Sequence, residues 1–202
     1  MKRYQVRPDY IANIAWERGY LNTLELFRIA AWKTGQGLGS LTLNSEEDIK
    51  DRTRSALECI RPWRGRNVVG LNDPVAWSEW RETARSAIGV QATNAGLLGL
   101  QGVGYPMASA ILDILDPQVW PVIDKYGVRT VFGVRPDGST WPSTRWQRAA
   151  VYEAYARHLA NLGAASWDPG LSIHKLDQEA MRASMPGGEL PSGWRFAVLP
   201  AV

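Results

Sequence analysis

The chain has 202 residues, 45% of them hydrophobic, which is enough to bury the core of one globular domain. Its single cysteine excludes an internal disulfide and a metal cluster held only by cysteines, and its two histidines lie in different segments. No apolar run approaches the roughly 20 residues of a membrane span, and the basic N-terminal stretch MKRYQVRPDY lacks the apolar core of a signal peptide. We therefore expect a monomeric, cytoplasmic protein with no membrane partner.

The net charge of +3 favours an anionic partner only weakly, but the kind of charge is more informative. Arginine supplies 18 of the 23 basic residues, and its guanidinium group binds phosphate through two hydrogen bonds. Ten tryptophans are many for this length, and tryptophan stacks well on nucleic-acid bases. The alternative is that GC-rich coding alone produces this composition.

Helical periodicity dominates the first part of the chain. A helix is predicted to end at Gly35. Its apolar stripe is Tyr20, Leu24, Phe27 and Ala31. Ser45 followed by Asp48 resembles a capping box, and it opens a second helix that Pro62 stops. The apolar face of this second helix is Ile49, Thr53, Ala56, Leu57 and Ile60.

The same periodicity continues through the rest of the chain. Further helices are predicted over residues 73–89, 92–99, 105–116, 124–133, 143–162 and 173–184. Inward-facing positions are Ala108, Ile111, Leu112 and Leu115, followed by Val128, Val131 and Phe132. The strand-like stretches RNVVGL and RFAVLP are too short and isolated to build a sheet. The sequence therefore predicts an all-α fold with one helical domain over residues 1–185 and a loop-like tail over 186–202.

Two glycines stand directly before the helix predicted at 105–116, in the stretch LQGVGYPMASAIL over residues 100–112. Gly102 and Gly104 permit φ values closed to other residues and keep side chains off the surface of the turn. Backbone N–H groups at such a helix N-terminus, with the helix dipole behind them, form a site for one phosphate group. The rival dinucleotide-binding loop fails, because Met107 occupies the third glycine position and no strand precedes.

This hairpin and the segment after it resemble the helix-hairpin-helix DNA glycosylase superfamily, which includes endonuclease III and the 8-oxoguanine glycosylases. The resemblance covers residues 97–133 and comprises the hairpin Leu100–Gly104, an alanine-containing helix, and Pro-Val-Ile-Asp over residues 121–124. It implies a helix-hairpin-helix glycosylase-like fold, with the hairpin over residues 92–116 and the helix of the catalytic aspartate over 124–133. It also implies DNA as the partner, bound in part through Gly102, Val103 and Gly104.

The resemblance also assigns chemistry to particular positions. Asp124 matches the shared catalytic carboxylate of the superfamily. Pro106 stands where bifunctional members carry a nucleophilic lysine, so the resemblance implies a monofunctional enzyme that uses water and leaves an abasic site. A monovalent cation, Na⁺ or K⁺, is implied at the backbone carbonyls of Leu98, Leu100 and Val103. The iron–sulfur cluster of some relatives needs four cysteines and is not expected with one cysteine here.

The physical argument for Asp124 stands beside the resemblance. Breaking a base–sugar bond builds positive charge on the sugar, and a fixed carboxylate stabilises that charge and activates the attacking water. The alternative is an ordinary N-cap, since aspartate commonly precedes a helix. The two roles are compatible.

Five further residues are candidates for DNA contact. Lys125 and Lys33 could bind phosphate. For Lys125 the favoured alternative is a solvated lysine in the first turn of a helix, and for Lys33 the alternative is a surface lysine beside a core tryptophan. Trp63 and Arg64, within RPWRGRN over residues 61–67, could contact DNA or fill the gap left by a flipped base; an ordinary basic loop is the alternative. Tyr105 begins the second helix of the hairpin and could face the DNA.

The sequence therefore favours a monofunctional DNA glycosylase acting on a damaged or modified base, in DNA repair or against modified phage DNA. A non-catalytic helix-hairpin-helix DNA-binding protein is the first alternative. A protein whose hairpin only packs helices is the second, and it predicts no salt-dependent DNA binding.

Overall fold

The computed structural model describes residues 7–34, 38–90, 96–133, 145–166, 168, 171–184, 187–190 and 194–197. These residues form helices and contain no strand, which confirms the all-α class for this part of the chain. The α-helices found there are α1 (Tyr10–Arg18), α2 (Thr23–Thr34), α3 (Glu46–Ile60), α4 (Pro74–Ile88), α5 (Tyr105–Leu115), α6 (Lys125–Phe132), α7 (Arg145–Ala165) and α8 (Ile173–Ala183). Short 3₁₀ helices cover Leu38–Leu43, Arg61–Trp63, Val68–Asn72 and Leu97–Gly99. No helix among the described residues is long and apolar enough to span a membrane.

Residue contacts divide the chain into two compact units. Unit 1 comprises Met1–Arg64 and Thr83–Asp116, and unit 2 comprises Gly65–Glu82 and Pro117–Val202. The boundary expected between a domain at 1–185 and a tail at 186–202 stays a prediction. The hairpin motif belongs to unit 1, whereas Asp124 belongs to unit 2.

Helix α5 is the central helix of unit 1. All of its residues except Pro106 are buried, which includes the four inward-facing positions expected from the sequence. It packs against α1 and α2, and the Trp16 indole N–H donates to the Leu115 carbonyl at 2.9 Å. The Arg7 guanidinium pairs with the fully buried Asp113 carboxylate at 2.9 Å, so the buried charge of α5 is compensated. These contacts anchor α5, the helix that follows the turn Leu100–Gly104.

Helix α2 buries a different face from the one predicted. Its fully buried side chains are Leu26, Ile29 and Ala30, whereas Leu24 is 58% exposed, so the expected stripe was wrong. Apolar residues occupy so many positions of α2 that two adjacent stripes satisfy helical periodicity. Tertiary packing selects between them. The predicted end at Gly35 lies outside the described residues.

Side chains cap two helices where the sequence predicts their starts. The Ser45 hydroxyl accepts the Asp48 N–H at 3.0 Å and completes a capping box, and the five predicted positions of α3 are all buried. The Asp73 carboxylate accepts the Val75 and Ala76 N–H groups at 3.0 and 2.8 Å before α4. Short polar side chains thus satisfy donors that the helix itself leaves open.

Unit 2 is built around α6, α7 and α8. Helix α8 packs against both α6 and α7, and α7 also packs against the 3₁₀ helix Val68–Asn72, where the sequence carries a weak strand signal. An aromatic stack of Trp77, Trp80 and Trp120 lies in this unit, with ring centroids 4.9 and 5.2 Å apart. The buried Tyr152 hydroxyl donates to the Pro121 carbonyl at 3.2 Å. This bond holds the segment that leads into α6.

Candidate functional site

The hairpin turn joins the 3₁₀ helix Leu97–Gly99 to α5. Gly102 has φ +78°, which lies in the left-handed region that favours glycine. A Cβ atom added at this position would also lie 3.0 Å from the Ser40 Cβ and 3.2 Å from the Leu41 nitrogen. Both the backbone conformation and the close approach of the segment around Ser40 therefore require glycine at position 102. This confirms the predicted role of Gly102 in the turn.

Gly104 differs from Gly102. It is the N-cap of α5 with φ −96° and ψ −178°, an extended conformation that any residue adopts, so the prediction of a special φ here was wrong. A Cβ atom at this position would meet only the Pro106 Cδ, at an ordinary 3.8 Å. Gly104 is exposed, its N-cap position has no side-chain hydrogen bond, and no partner for its own N–H is found among the described residues. Its glycine leaves the helix N-terminus uncovered.

Asn44 fixes the hairpin and was not singled out by the sequence. Its side-chain oxygen accepts the Gln101 N–H at 2.7 Å, and its side-chain nitrogen donates to the Gln101 carbonyl at 3.0 Å. The same nitrogen donates to the Leu41 carbonyl at 2.9 Å. Asn44 therefore ties the turn to the 3₁₀ helix Leu38–Leu43. No local pattern reveals a pairing between residues 57 positions apart.

Asp124 lies at the N-cap of α6, half-buried, in an extended conformation. Its Oδ1 accepts the Tyr126 and Gly127 N–H groups at 2.8 and 2.9 Å. The N-cap interpretation is thus confirmed. Both of these bonds reach the same carboxylate oxygen. The two bonds fix the orientation of the carboxylate at the N-terminus of α6.

A buried polar pair lies behind the first turn of α6. The hydroxyl of Tyr155 on α7 donates to the carboxylate of Asp177 on α8, and both side chains are buried. Burial raises the pKa of Tyr155 well above its usual value, and the charges of Asp177 and Asp124 raise it further. Neither residue was singled out from the sequence, because helical spacing identifies buried faces and not which buried polar groups meet.

The predicted basic contacts lie on both units. Lys33 is in the last turn of α2, half-buried, and Arg64 is exposed in unit 1 with its guanidinium 4.9 Å from the centre of the Trp16 ring. Lys125 is exposed at the first position of α6, with its ammonium group 5.1 Å from the centre of the Tyr126 ring. DNA contact by these three side chains stays a prediction.

Two predicted contacts are contradicted by burial. Trp63 is 3% exposed, and its indole N–H donates to the Thr83 hydroxyl at 3.1 Å, so it is a core residue and not a wedge for DNA. Tyr105 is 1% exposed and therefore does not face DNA as expected. Burial removes the apolar surface of each side chain from water. The local sequence alone does not show whether an aromatic residue at such a position is buried or exposed.

The implied cation site would use main-chain oxygens around the turn. The Leu100 carbonyl accepts the Val103 N–H at 3.2 Å, and the second lone pair of such an oxygen can still bind a cation. Leu98 and Val103 supply the other predicted carbonyls. Within the described ranges, no group of three or more His, Cys, Asp or Glu side chains could hold a metal ion. The cation at the carbonyls stays a prediction.

No family model, curated protein or solved structure matches this chain. Membership in the glycosylase superfamily therefore stays a prediction based on the motif over residues 97–133.

Proposed function

We propose that this protein is a monofunctional DNA glycosylase, with the fold of the helix-hairpin-helix superfamily, that hydrolyses the bond between a damaged or modified base and its sugar. The observation that carries the proposal is the uncovered helix N-terminus at Gly104. Glycine at this position serves neither the backbone conformation nor the packing, but it leaves a backbone N–H accessible to a ligand. A DNA phosphate is the ligand that the motif around it implies.

The hairpin would supply affinity without sequence readout. Backbone N–H groups bind phosphate oxygens equally on any sequence, so they position the duplex and leave selection of the base to other groups. The clamp of Asn44 on Gln101 keeps the turn in one conformation before DNA arrives. Lower conformational freedom in the unbound turn reduces the entropy lost on binding.

Asp124 would act on the flipped-out nucleotide. As the base leaves with the electron pair of the glycosidic bond, positive charge develops on the sugar, and the carboxylate stabilises it. Water then bonds to the sugar carbon and loses a proton to Asp124, the departing base takes up a proton from solvent, and Asp124 returns its proton to solvent. The products are a free base and an abasic site. Pro106 has no amine for a covalent intermediate, which agrees with hydrolysis by water.

The deciding experiment measures abasic sites in DNA. Wild-type protein and Asp124→Asn are incubated with duplexes that contain uracil, 8-oxoguanine, alkylated or mismatched bases, and with hydroxymethylated and glucosylated phage DNA. Hot alkali then converts abasic sites into strand breaks. We expect alkali-dependent breaks in one class of DNA with the wild type and none with Asp124→Asn, whereas breaks without alkali would reveal a lyase.

The chain provides a matched control for this substitution. Asp73 caps α4 with the same geometry, because its Oδ1 also accepts two backbone N–H groups. Asparagine caps helices about as well as aspartate, so Asp73→Asn and Asp124→Asn both retain a cap and each remove one charge. Only Asp124→Asn should abolish base release.

One observation favours a second function, a DNA-binding protein without chemistry. The two N-cap bonds of Asp124 account for an aspartate at this position without any catalytic role. Such a protein would bind DNA with a steep salt dependence and produce no abasic sites in any DNA of the panel. Asp124→Asn would then leave DNA affinity at the wild-type level.

A further inference from the structure

The first turn of α6 lies beside a hydrogen-bonded pair of residues from two other helices, α7 and α8. Asp124 holds this turn from its N-terminal side through the Tyr126 and Gly127 N–H groups. On another side of the turn lies Tyr155 of α7, whose hydroxyl donates to Asp177 of α8. Helix α6 packs against both α7 and α8.

Gly127 brings the turn and the tyrosine together. A Cβ atom at position 127 would overlap the Tyr155 hydroxyl and lie 2.9 Å from its Cζ atom, closer than real Cβ contacts. The backbone of Gly127 therefore lies directly against the phenol ring, and its N–H donates to Asp124. Any movement of the tyrosine changes the space available to the residue that Asp124 caps.

We propose that Tyr155 and Asp177 form a positioning pair that holds the first turn of α6 and thereby fixes the carboxylate of Asp124. Asp177 orients the phenol, the phenol supports the backbone of Gly127, and Gly127 with Tyr126 orients Asp124. The role deepens the proposed glycosylase function and rests on it, since a catalytic carboxylate must be held within a fraction of an ångström of its working position.

The protonation state of Tyr155 keeps its hydrogen bond to Asp177 in place. Because burial and the neighbouring carboxylates raise the pKa of Tyr155, the phenol keeps its proton over the physiological range and remains a donor to Asp177. Tyr155 therefore acts as a hydrogen-bond donor and not as a base. Asp177 is 2% exposed, so loss of the phenol would remove a hydrogen bond from a buried carboxylate.

Amide hydrogen exchange followed by NMR tests the proposal without any substrate. The Tyr126 and Gly127 N–H groups bond to Asp124, so their exchange rates report whether the carboxylate is held. In Tyr155→Phe, which removes only the hydroxyl, we expect both amides to exchange about tenfold faster, the effect of one lost buried hydrogen bond on local opening. Asp177→Asn keeps a side-chain oxygen that accepts the phenol hydroxyl, so it should accelerate exchange less than Tyr155→Phe.

Thr130→Val is the matched control. The buried Thr130 hydroxyl donates to the Ala180 carbonyl at 2.7 Å, so this change removes another hydrogen bond between α6 and α8, but in the last turn of α6. Thr130→Val should lower the free energy of global unfolding. Exchange at Tyr126 and Gly127 should then change by no more than this loss of global stability explains. Exchange that accelerates equally in Thr130→Val and Tyr155→Phe would overturn the proposal, because the hydroxyl would then act only on global stability.

A second pair of variants tests the contact between Gly127 and Tyr155 even if Asp177→Asn does not fold. Gly127→Ala introduces the overlapping Cβ, and combining it with Tyr155→Phe removes the worst part of the overlap. The double variant should therefore be more stable than the sum of the two single changes predicts. Additive effects would mean that Gly127 and Tyr155 do not contact each other and would refute the support mechanism.

Failure of this proposal and failure of the glycosylase function give different results. If no DNA in the panel loses a base while Tyr155→Phe still accelerates exchange at the two amides, the support is correct and the enzymatic function is wrong. If a DNA of the panel loses a base, Tyr155→Phe should lower kcat for base release and leave KM unchanged, because the pair acts on the catalytic carboxylate and not on DNA binding. An unchanged kcat would reject the positioning role.

Discussion

The two glycines of the hairpin should respond in opposite ways to the same substitution. Gly102→Ala places an alanine at φ +78° with its Cβ 3.0 Å from the Ser40 Cβ. Left-handed strain and this close contact together should lower the free energy of unfolding by about 1–3 kcal/mol. At Gly104, φ is −96° and the nearest atom lies 3.8 Å away, so Gly104→Ala introduces no strain.

The stability effect of Gly104→Ala is therefore small. Alanine is a poorer N-cap than glycine, but it also reduces the conformational entropy of the unfolded chain by an amount worth about 0.4–1 kcal/mol. These opposing effects should leave the free energy of unfolding within about 0.5 kcal/mol of the wild-type value.

DNA affinity should show the reverse order of sensitivity. The alanine methyl group stands beside the Gly104 N–H, where the phosphate would approach. A hydrogen bond to a charged group contributes about 1.5–3 kcal/mol, which corresponds to a loss of roughly 10- to 150-fold in affinity. Fluorescence anisotropy with a labelled duplex at fixed salt measures affinity, and urea unfolding measures stability. Wild-type affinity in a stable Gly104→Ala variant would refute the phosphate site.

Three further predictions concern residues outside the turn. Asp124→Ala should lower the free energy of unfolding by about 1 kcal/mol because both capping bonds are lost, whereas Asp124→Asn should keep it, as urea unfolding will show. Trp63→Phe should cost about 1–2 kcal/mol through the lost bond to Thr83 and leave DNA affinity unchanged; weaker binding in anisotropy would restore Trp63 as a contact. Burial lowers the pKa of His158, so the unfolded chain binds this proton more readily than the folded chain does. The free energy of unfolding should therefore fall as the pH drops below about 6.5. Thermal unfolding of His158→Gln checks this, because the fall should be shallower in the variant.

Local patterns predicted the elements that depend on neighbours along the chain. Ser45 and Asp48 lie three residues apart and cap each other, and the polar residues around the apolar face of α3 allow only one helical stripe. Gly102 was also predictable, because a tight turn before a helix commonly needs a residue that tolerates positive φ. In each case the competing arrangements were few.

Residues that act through distant partners were not predictable. Asn44 and Gln101 are separated by 57 positions, and Tyr155 and Asp177 by 22, so neither pair leaves a periodic signal. Trp63 was misassigned because the arginines around it indicate a basic loop, whereas Thr83, which pairs with its indole, lies 20 positions away. Helix α2 shows the same limit, since its packing partners and not its own pattern select the buried stripe.

Asp124 and Asp73 cap their helices in the same way but differ in burial. Asp73 and Asp124 cap their helices through the same atom and at nearly the same distances, so capping alone requires no charge at either position. Serine, threonine or asparagine would serve the cap, whereas stabilising a developing positive charge requires a carboxylate. Asp73 is exposed whereas Asp124 is half-buried and backed by the buried phenol of Tyr155. Comparing asparagine at the two positions therefore separates the capping role, which is shared, from the charge, which matters at Asp124 alone if the protein releases bases from DNA.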